Sequence, residues 1–297
     1  MNSCCKTRRI PTLLLLVILA FLNLDALASF SGGNGTADDP WQISNPAELD
    51  ALRNYLGSEH ADKHFILVAD IDLWGYGEAD GWQPIGSNLT GQRFHGSVDG
   101  DGHVIRNLTV ARPGSGFQGL FGSLENASIR NLDLASAHVV GLDDVGALSG
   151  RSSNSLIDGV VISGQVEGRR RIGGVVGQFG GGTVHRSGAM VEVHGQNEVG
   201  GLVGRMTGLA TLVAQSHAAG QIHVVGGTAG GLVGYLDGAS IADCYSQAGV
   251  SGGSIRGGLI GWVQSSNSII ARCYVAGPVS GEGSSIGGFI GSFLGIA

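Results

Sequence analysis

Gly200-Gly201-Leu202-Val203-Gly204 is the stretch that decides the fold, because the chain keeps returning to it. Gly173-Gly174-Val175-Val176-Gly177 precedes it. Gly230 to Gly234, Gly257-Gly258-Leu259-Ile260-Gly261 and Gly287-Gly288-Phe289-Ile290-Gly291 follow. Looser copies stand at Gly119-Leu120-Phe121-Gly122 and Gly146-Ala147-Leu148-Ser149-Gly150. The last glycines of the seven copies are 28, 27, 27, 30, 27 and 30 residues apart. A period of this length marks a repeat architecture.

Between the copies the chain is rich in Val, Ile and Leu, alternates apolar with small or polar residues, and is cut by Gly, Ser and Asn. That pattern reads as short strands. Aligned repeats form apolar columns. Before the Gly pair stand Val145, Ile172, Val199, Ala229, Arg256 and Ile286. Within the motif stand Leu120, Leu148, Val175, Leu202, Leu232, Leu259 and Phe289. Later come Ile129, Leu156, Val184, Val213, Ile241 and Ile270, then Val139, Val166, Val193, Ile222, Val250 and Val279. One repeat cannot bury three apolar sides alone, whereas stacked copies share a continuous core. The expected fold is all-β: a right-handed parallel β-helix with one coil per repeat and like residues stacked about 4.8 Å apart. Glycine supplies 54 residues, none before Ser29, and suits corners that need positive φ or close backbone approach.

The GGLVG-type phrase is followed about ten residues on by Ile241-Ala242-Asp243-Cys244-Tyr245-Ser246 or Ile270-Ala271-Arg272-Cys273-Tyr274-Val275. This pairing resembles the GLUG-motif repeat over Gln118 to Gly291. The resemblance implies a bacterial source and a non-catalytic β-solenoid of large secreted or surface proteins, including adhesins and some immunoglobulin-A-cleaving peptidases. The chain departs from the pattern at Ala147 and Ser149, and at Gly159, Ser187 and Ser216, where Cys is common.

Lys6, Arg8 and Arg9 precede an apolar run, Leu13 to Leu22, and Ala26-Leu27-Ala28 fits small-x-small cleavage. Residues 1–28 therefore read as a signal peptide, cut before Ser29. Its removal takes Lys6, Arg8, Arg9 and Asp25, moving the net charge from −7 to −9 and leaving Lys63 as the only lysine. An acidic surface disfavours nucleic acid and anionic membrane as partners, and no further segment reads as a membrane span. Residues 29–36 read as a flexible leader. Residues 37–117 read as N-terminal capping coils with one helix, opened by Asn45-Pro46-Ala47-Glu48, running to about Leu56 and stopped by Gly57. Residues 118–297 carry the seven repeats and continue the same solenoid.

Several clusters are candidates for chemistry. Asp99-Gly100-Asp101-Gly102 resembles part of a calcium loop but lacks the distal Glu of an EF-hand, and equally forms a turn. Trp74, Trp82, Asp80, Asp70, Asp72 and Glu78 put carboxylates beside aromatics, a composition that could bind or cleave sugar and equally suits a strand's polar face and a capping loop. Glu167, His194 and His223 share one column, and stacked at the coil spacing they could hold zinc or form a plain exposed ladder. HExxH, a nucleophile elbow with an evident triad, P-loop and dinucleotide fingerprints are absent from the sequence. No cofactor is expected. Cys244 and Cys273 share a column, and their side chains point the same way, which favours two free thiols over a bridge.

Three further expectations follow. Two columns of charge should pair as Asp144–Arg171–Glu198, Asp158–Arg186 and Asp243–Arg272, all exposed. Arg256 interrupts an apolar column, so its head should reach solvent or an acid. Phe289, Ile290, Phe293, Leu294 and Ile296 leave the last coil apolar and prone to self-association. The function expected is a secreted or cell-surface adhesin-like binding or scaffolding solenoid, with a glycan or a host or cell-surface protein as partner. The rivals are a polysaccharide-lyase-like β-helix enzyme and the repeat arm of a larger secreted peptidase.

Overall fold

The computed structural model of the protein describes residues 30–77 and 79–294. The expected signal peptide and its cleavage site, Glu78 and Ile296 lie outside the described residues. Nearly all the strands pair in parallel, and the chain forms a β-solenoid of about nine turns. Three faces run along it. Face A is a 13-stranded sheet from Trp41–Ile43 to Ile290–Phe293, face B is 11-stranded and begins at Ile71–Asp72, and face C has six strands from Asp143–Gly146 to Ser285–Gly287.

The repeat length sets this arrangement. Each repeat supplies one strand to face C, crosses the glycine motif, then supplies strands to faces A and B. Face C aligns Val145, Ile172, Val199, Ala229, Arg256 and Ile286 in one column. Face B aligns Val139, Val166, Val193, Ile222, Val250 and Val279. Leu148, Val175, Leu202, Leu232 and Leu259 are fully buried between them.

One coil departs from the expected alignment. Face A pairs Ile129 with Ile157 and Ile157 with Val184, so Ile157 fills the column assigned to Leu156. The same one-residue shift carries through the corner. Gly159, not Asp158, sits with Asn131 and Arg186, and Val160, not Gly159, sits with Ser187 and Ser216. Backbone bonds fix this, with Asn131 N–H donating to Asp158 O, Gly159 to His185 O and Arg186 to Ala214 O.

That corner holds Asn131, Gly159, Arg186, Gln215, Asp243 and Arg272, all left-handed with φ of 46–66°. Only one of the six is glycine, although a side chain there costs about 1–2 kcal/mol. The motif glycines have a different cause. None of the motif pairs Gly173-Gly174, Gly200-Gly201, Gly230-Gly231 and Gly257-Gly258 has a positive φ. A Cβ on Gly200 would lie 2.1 Å from Val203 O, and one on Gly201 would lie 2.3 Å from Gly231 O of the next coil. The motif is glycine because backbones meet there.

The N-terminal helix is shorter than expected. Pro46–Asp50 is α-helical and Ala51–Asn54 continues as 3-10 helix. Asn45 Oδ1 accepts from Glu48 N–H at 3.0 Å, as a cap should. Beside it Phe30, Trp41, Tyr55 and Phe65 interlock, with Trp41 and Tyr55 ring centroids 4.6 Å apart. Residues 30–36, expected as a flexible leader, are tied down. Gln42 N–H donates to Gly32 O at 2.8 Å, an antiparallel bridge on the outer edge of the first strand. In the final coil Ile286, Phe293 and Leu294 are exposed.

Arg256 reverses its expectation. It is fully buried and meets no acid among the described residues. Its Nη1 donates to the carbonyls of Gly252, Gly253 and Glu282 at 2.6, 2.6 and 2.9 Å, and Nη2 to that of Gly281 at 2.7 Å. Ala229 on the neighbouring coil pairs with it, and two corner loops supply carbonyls to both terminal nitrogens, leaving Nε without a partner among the described residues.

Candidate functional site

Charged side chains on the coils are largely occupied. Arg171 grips Asp144 at 2.5 and 2.7 Å, Arg186 grips Asp158 at 2.9 and 2.5 Å, and Arg272 grips Asp243 at 2.5 and 2.7 Å. The Asp144 side chain is only 4% exposed, so that pair is not the surface contact expected. Nor does Glu198 join Arg171 in an ion pair; its Oε1 lies 3.4 Å from Arg205. Hydrogen bonds from Arg186 and Arg272 hold the Asp158 and Asp243 carboxyls below their usual range.

The N-terminal candidates occupy two adjoining hollows. Trp74 is 82% exposed and lines one of 300 Å³ with Tyr76 and Thr109. Asp80 lines the next, of 460 Å³, with Arg53 and Arg112. Trp82 forms the floor of that hollow and is itself buried, with its indole Nε1–H donating to Leu120 O at 3.0 Å. Trp82 thus belongs to the core and Trp74 to the surface. Asp70 and Asp72 are used structurally. Asp70 accepts from Val104 N–H and Arg106, and Asp72 from Trp74 N–H and Asn107. Asp99 Oδ1 accepts from Asp101 N–H at 2.9 Å and Asn131 Nδ2 at 3.0 Å, the bonding of an Asx turn.

The outer side of face B carries the most organised set of side chains. Alternate residues of each strand point outward, so the strands Val161–Glu167, Gly188–Gly195 and His217–Val224 present four parallel columns. The outermost column contains Glu167, His194, His223 and Ser251 in strict register. The imidazoles of His194 and His223 stack with centroids 4.9 Å apart. The acid that joins them is Glu192 rather than Glu167. Glu192 Oε1 lies 2.9 Å from His194 Nε2, and donor atoms of Glu192, His194 and His223 all fall within 4.8 Å of one another. Glu167 instead accepts from Gln165 at 2.7 Å.

The opposite edge of the same face carries an aromatic ladder. His217, Tyr245 and Tyr274 stack at 5.0 Å with interplanar angles of 8° and 6°. Partial burial lowers the pKa of His217, which favours the neutral ring. Met190, 69% exposed, stands between the two edges. The sequence did carry a signal for Glu192, since Glu192-Val193-His194 alternates and places both polar groups outward. A reading along columns alone passes over it.

Cys244 and Cys273 are free thiols. Each occupies the place Ser187 and Ser216 hold on earlier coils. Ser187 and Ser216 Oγ donate to the carbonyl two residues back at 2.8 Å, and Cys244 and Cys273 Sγ do so at 3.1 and 3.2 Å.

Comparison with known proteins agrees with this architecture. No family model matches the chain. Over 152 residues it is 41% identical to Halomucin of Haloquadratum walsbyi, which spans 49% of this chain and 2% of that protein. It is 40% identical over 139 residues to a protein provisionally named a Gly-rich membrane protein in Evansella cellulosilytica, covering 45% and 15%. It is 37% identical over 93 residues to an immunoglobulin A1 protease of Streptococcus sanguinis, covering 31% and 4%. The chain therefore matches only a small part of the length of these relatives. Among solved structures, it superposes on a protein from Bacteroides ovatus, provisionally named an immunoglobulin A1 protease, with a TM-score of 0.69. The identity is 21%, with 88% of this chain and 86% of the other covered. It superposes on a chain named IgA1 protease with a TM-score of 0.61 at 17% identity, covering 84% and 20%. The fold is that of these β-helix proteins. No helix among the described residues is long and apolar enough to cross a membrane.

Proposed function

We propose that the chain is a GLUG-type, non-catalytic solenoid segment of a secreted or cell-surface protein, and that it binds or spaces through face B. One observation carries this reading. Parts of this chain match 2%, 15% and 4% of three proteins whose names share no chemistry. Sequence of a kind found in a halomucin, a Gly-rich membrane protein and a peptidase alike is not what gives any one of them its activity. The likeness to immunoglobulin A1 proteases favours one special case, a repeat arm whose catalytic partner domain is separate. The lyase-like reading has less support, because Arg169, Arg171, Arg186 and Arg272 are each committed to a carboxylate within the coils.

The partner proposed is a glycan or a cell-surface protein. Flat faces with stacked aromatic side chains and an exposed Met suit such contacts, while a net charge of −7 disfavours nucleic acid. The test incubates the purified chain with immunoglobulin A1 and acidic polysaccharides, and in parallel screens glycan and surface-protein arrays. The expected result is intact substrate together with array binding that Met190→Asp and Tyr274→Ala weaken. Release of peptide or sugar fragments, abolished by a point change in the chain, would overturn the proposal.

A further inference from the structure

From the outer edge of face B we infer a surface site for a borderline divalent transition metal, Zn²⁺ foremost, held by Glu192, His194 and His223. His194 and His223 are directly opposed on adjacent parallel strands, and Glu192 precedes His194 by two residues, so all three side chains leave the same face. Their backbones are locked by the inter-coil hydrogen bonds. Glu192 is exposed and the two histidines are half-buried, so solvent reaches all three.

The donor set selects the ion. Two imidazoles and one carboxylate suit Zn²⁺, Cu²⁺ or Ni²⁺, whereas Ca²⁺ and Mg²⁺ require shells of oxygen. Tetrahedral zinc with bonds near 2.0–2.1 Å needs donors about 3.3 Å apart. The donor atoms here already lie within 4.8 Å of one another. Closing the remainder takes about 1–2 Å of side-chain rotation and no backbone movement.

A neighbouring group prepares one ligand. Ser251 Oγ directs its proton toward Ile222 O at 3.4 Å and lies 2.8 Å from His223 Nδ1. In that arrangement His223 Nδ1–H donates to the hydroxyl, and Nε2 keeps its lone pair for a metal. Outer hydrogen bonds of this kind orient most metal-bound histidines. His194 Nε2 and Glu192 are in contact at 2.9 Å. That bond is the one a metal would replace. Three protein ligands leave a fourth position toward solvent, open to water or to a donor from a docked partner.

The test is titration of the purified chain, free of any affinity tag, with Zn²⁺ followed by calorimetry and equilibrium dialysis. One equivalent should bind per chain. His194→Ala and His223→Ala should each weaken it at least about tenfold, Glu192→Gln less, and Ser251→Ala by a smaller factor. Glu167→Gln should leave it unchanged. Cu²⁺ loading should give an electron paramagnetic resonance spectrum with coupling to two nitrogens, falling to one in either histidine variant. Circular dichroism checks that each variant is folded. His194→Gln and His223→Gln replace the alanine changes if stacking is disturbed. Zinc uptake indifferent to both histidines, or absence of binding at 100-micromolar concentrations (about the weak end for a surface site), would overturn the assignment. Loss in Glu167→Gln with retention in Glu192→Gln would do so as well.

Discussion

Arg256→Met removes the guanidinium while keeping an unbranched stem in the column between Ala229 and Ile286. Four carbonyls lose their donor: those of Gly252, Gly253, Gly281 and Glu282. Hydrogen bonds to a charged group contribute about 1.5–3 kcal/mol each. Most of that is recoverable, because Gly252, Gly281 and Glu282 are exposed enough for water to replace the arginine. What is not recovered, a charge-assisted bond or two and the less exposed Gly253 carbonyl left without a donor, costs about 3–5 kcal/mol, and the apolar stem offsets part of it. The net expectation is about 3 kcal/mol. In a solenoid such a loss stays local, since each coil contacts only its neighbours. Hydrogen exchange therefore reads it better than a global melt. The amides of Ser254 and Ser285, which donate to Gly227 O and Ser254 O at 3.0 Å, bracket the two loops. Their exchange should accelerate about a hundredfold, while those of Val199 and Leu202 stay within about twofold. Arg256→Lys should fare little better, because one ammonium cannot serve both loops at once. Unchanged exchange at Ser254 and Ser285 in Arg256→Met would show that the guanidinium does not hold the two loops together.

Gly201→Ala must displace the Gly231 carbonyl, whereas a Cβ on Gly226 meets open space and only the strain of φ 98°. Urea melts should show Gly201→Ala losing about 2 kcal/mol or more and Gly226→Ala about 1; the reverse order would contradict the close-approach account. Asp143 and Asp158 have carboxyls lowered by bonds from Arg169 and Arg186, so their stabilisation is present above the unfolded value near 3.9 and lost as pH falls through the folded value. Asp133, raised by burial, acts in the opposite sense, and the lowered carboxyls outnumber it. Urea midpoints should thus hold from pH 7 to about 4 and drop below it; a midpoint rising toward pH 3 would count against the ladders. Contact with Cys273 and burial push the Cys244 thiol up. Iodoacetamide should label Cys273 in the native chain and Cys244 only after unfolding, as read by mass spectrometry; native labelling of Cys244 first, or of neither without reductant, would contradict the free-thiol arrangement.

The solenoid was legible because the repeats carry their own ruler. The Val193–Ile222–Val250 and Leu202–Leu232–Leu259 columns follow from spacing alone. The coil from Ser149 to Gly173 was not. Arg151 to Ser155 offers no apolar anchor, and Leu156 and Ile157 are both apolar, so alternation gives no parity and only pairing with Ile129 and Val184 settles it. Arg256 misled for another reason. An arginine in an apolar column is expected to escape, and only the folded chain brings the carbonyls of 252–253 and 281–282 together around it. Trp82 sits among Gly81 and Gln83 and reads as surface, yet its partner, the Leu120 carbonyl, lies 38 residues away. On face B the histidine column was visible, but the acid that completes it was sought one coil away instead of two residues before.

Distant repeats of the solenoid stack in one register. Val140, Glu167, His194, His223, Ser251 and Ser280 form a single column of five coil steps. Nitroxides at Val140→Cys and Ser280→Cys, in a chain with Cys244 and Cys273 replaced by Ser, measure it by double electron–electron resonance. Five strand spacings of about 4.8 Å place the two sites about 24 Å apart, and a narrow distribution there is predicted. A broad distribution, or one centred beyond about 40 Å, would contradict the stacked solenoid.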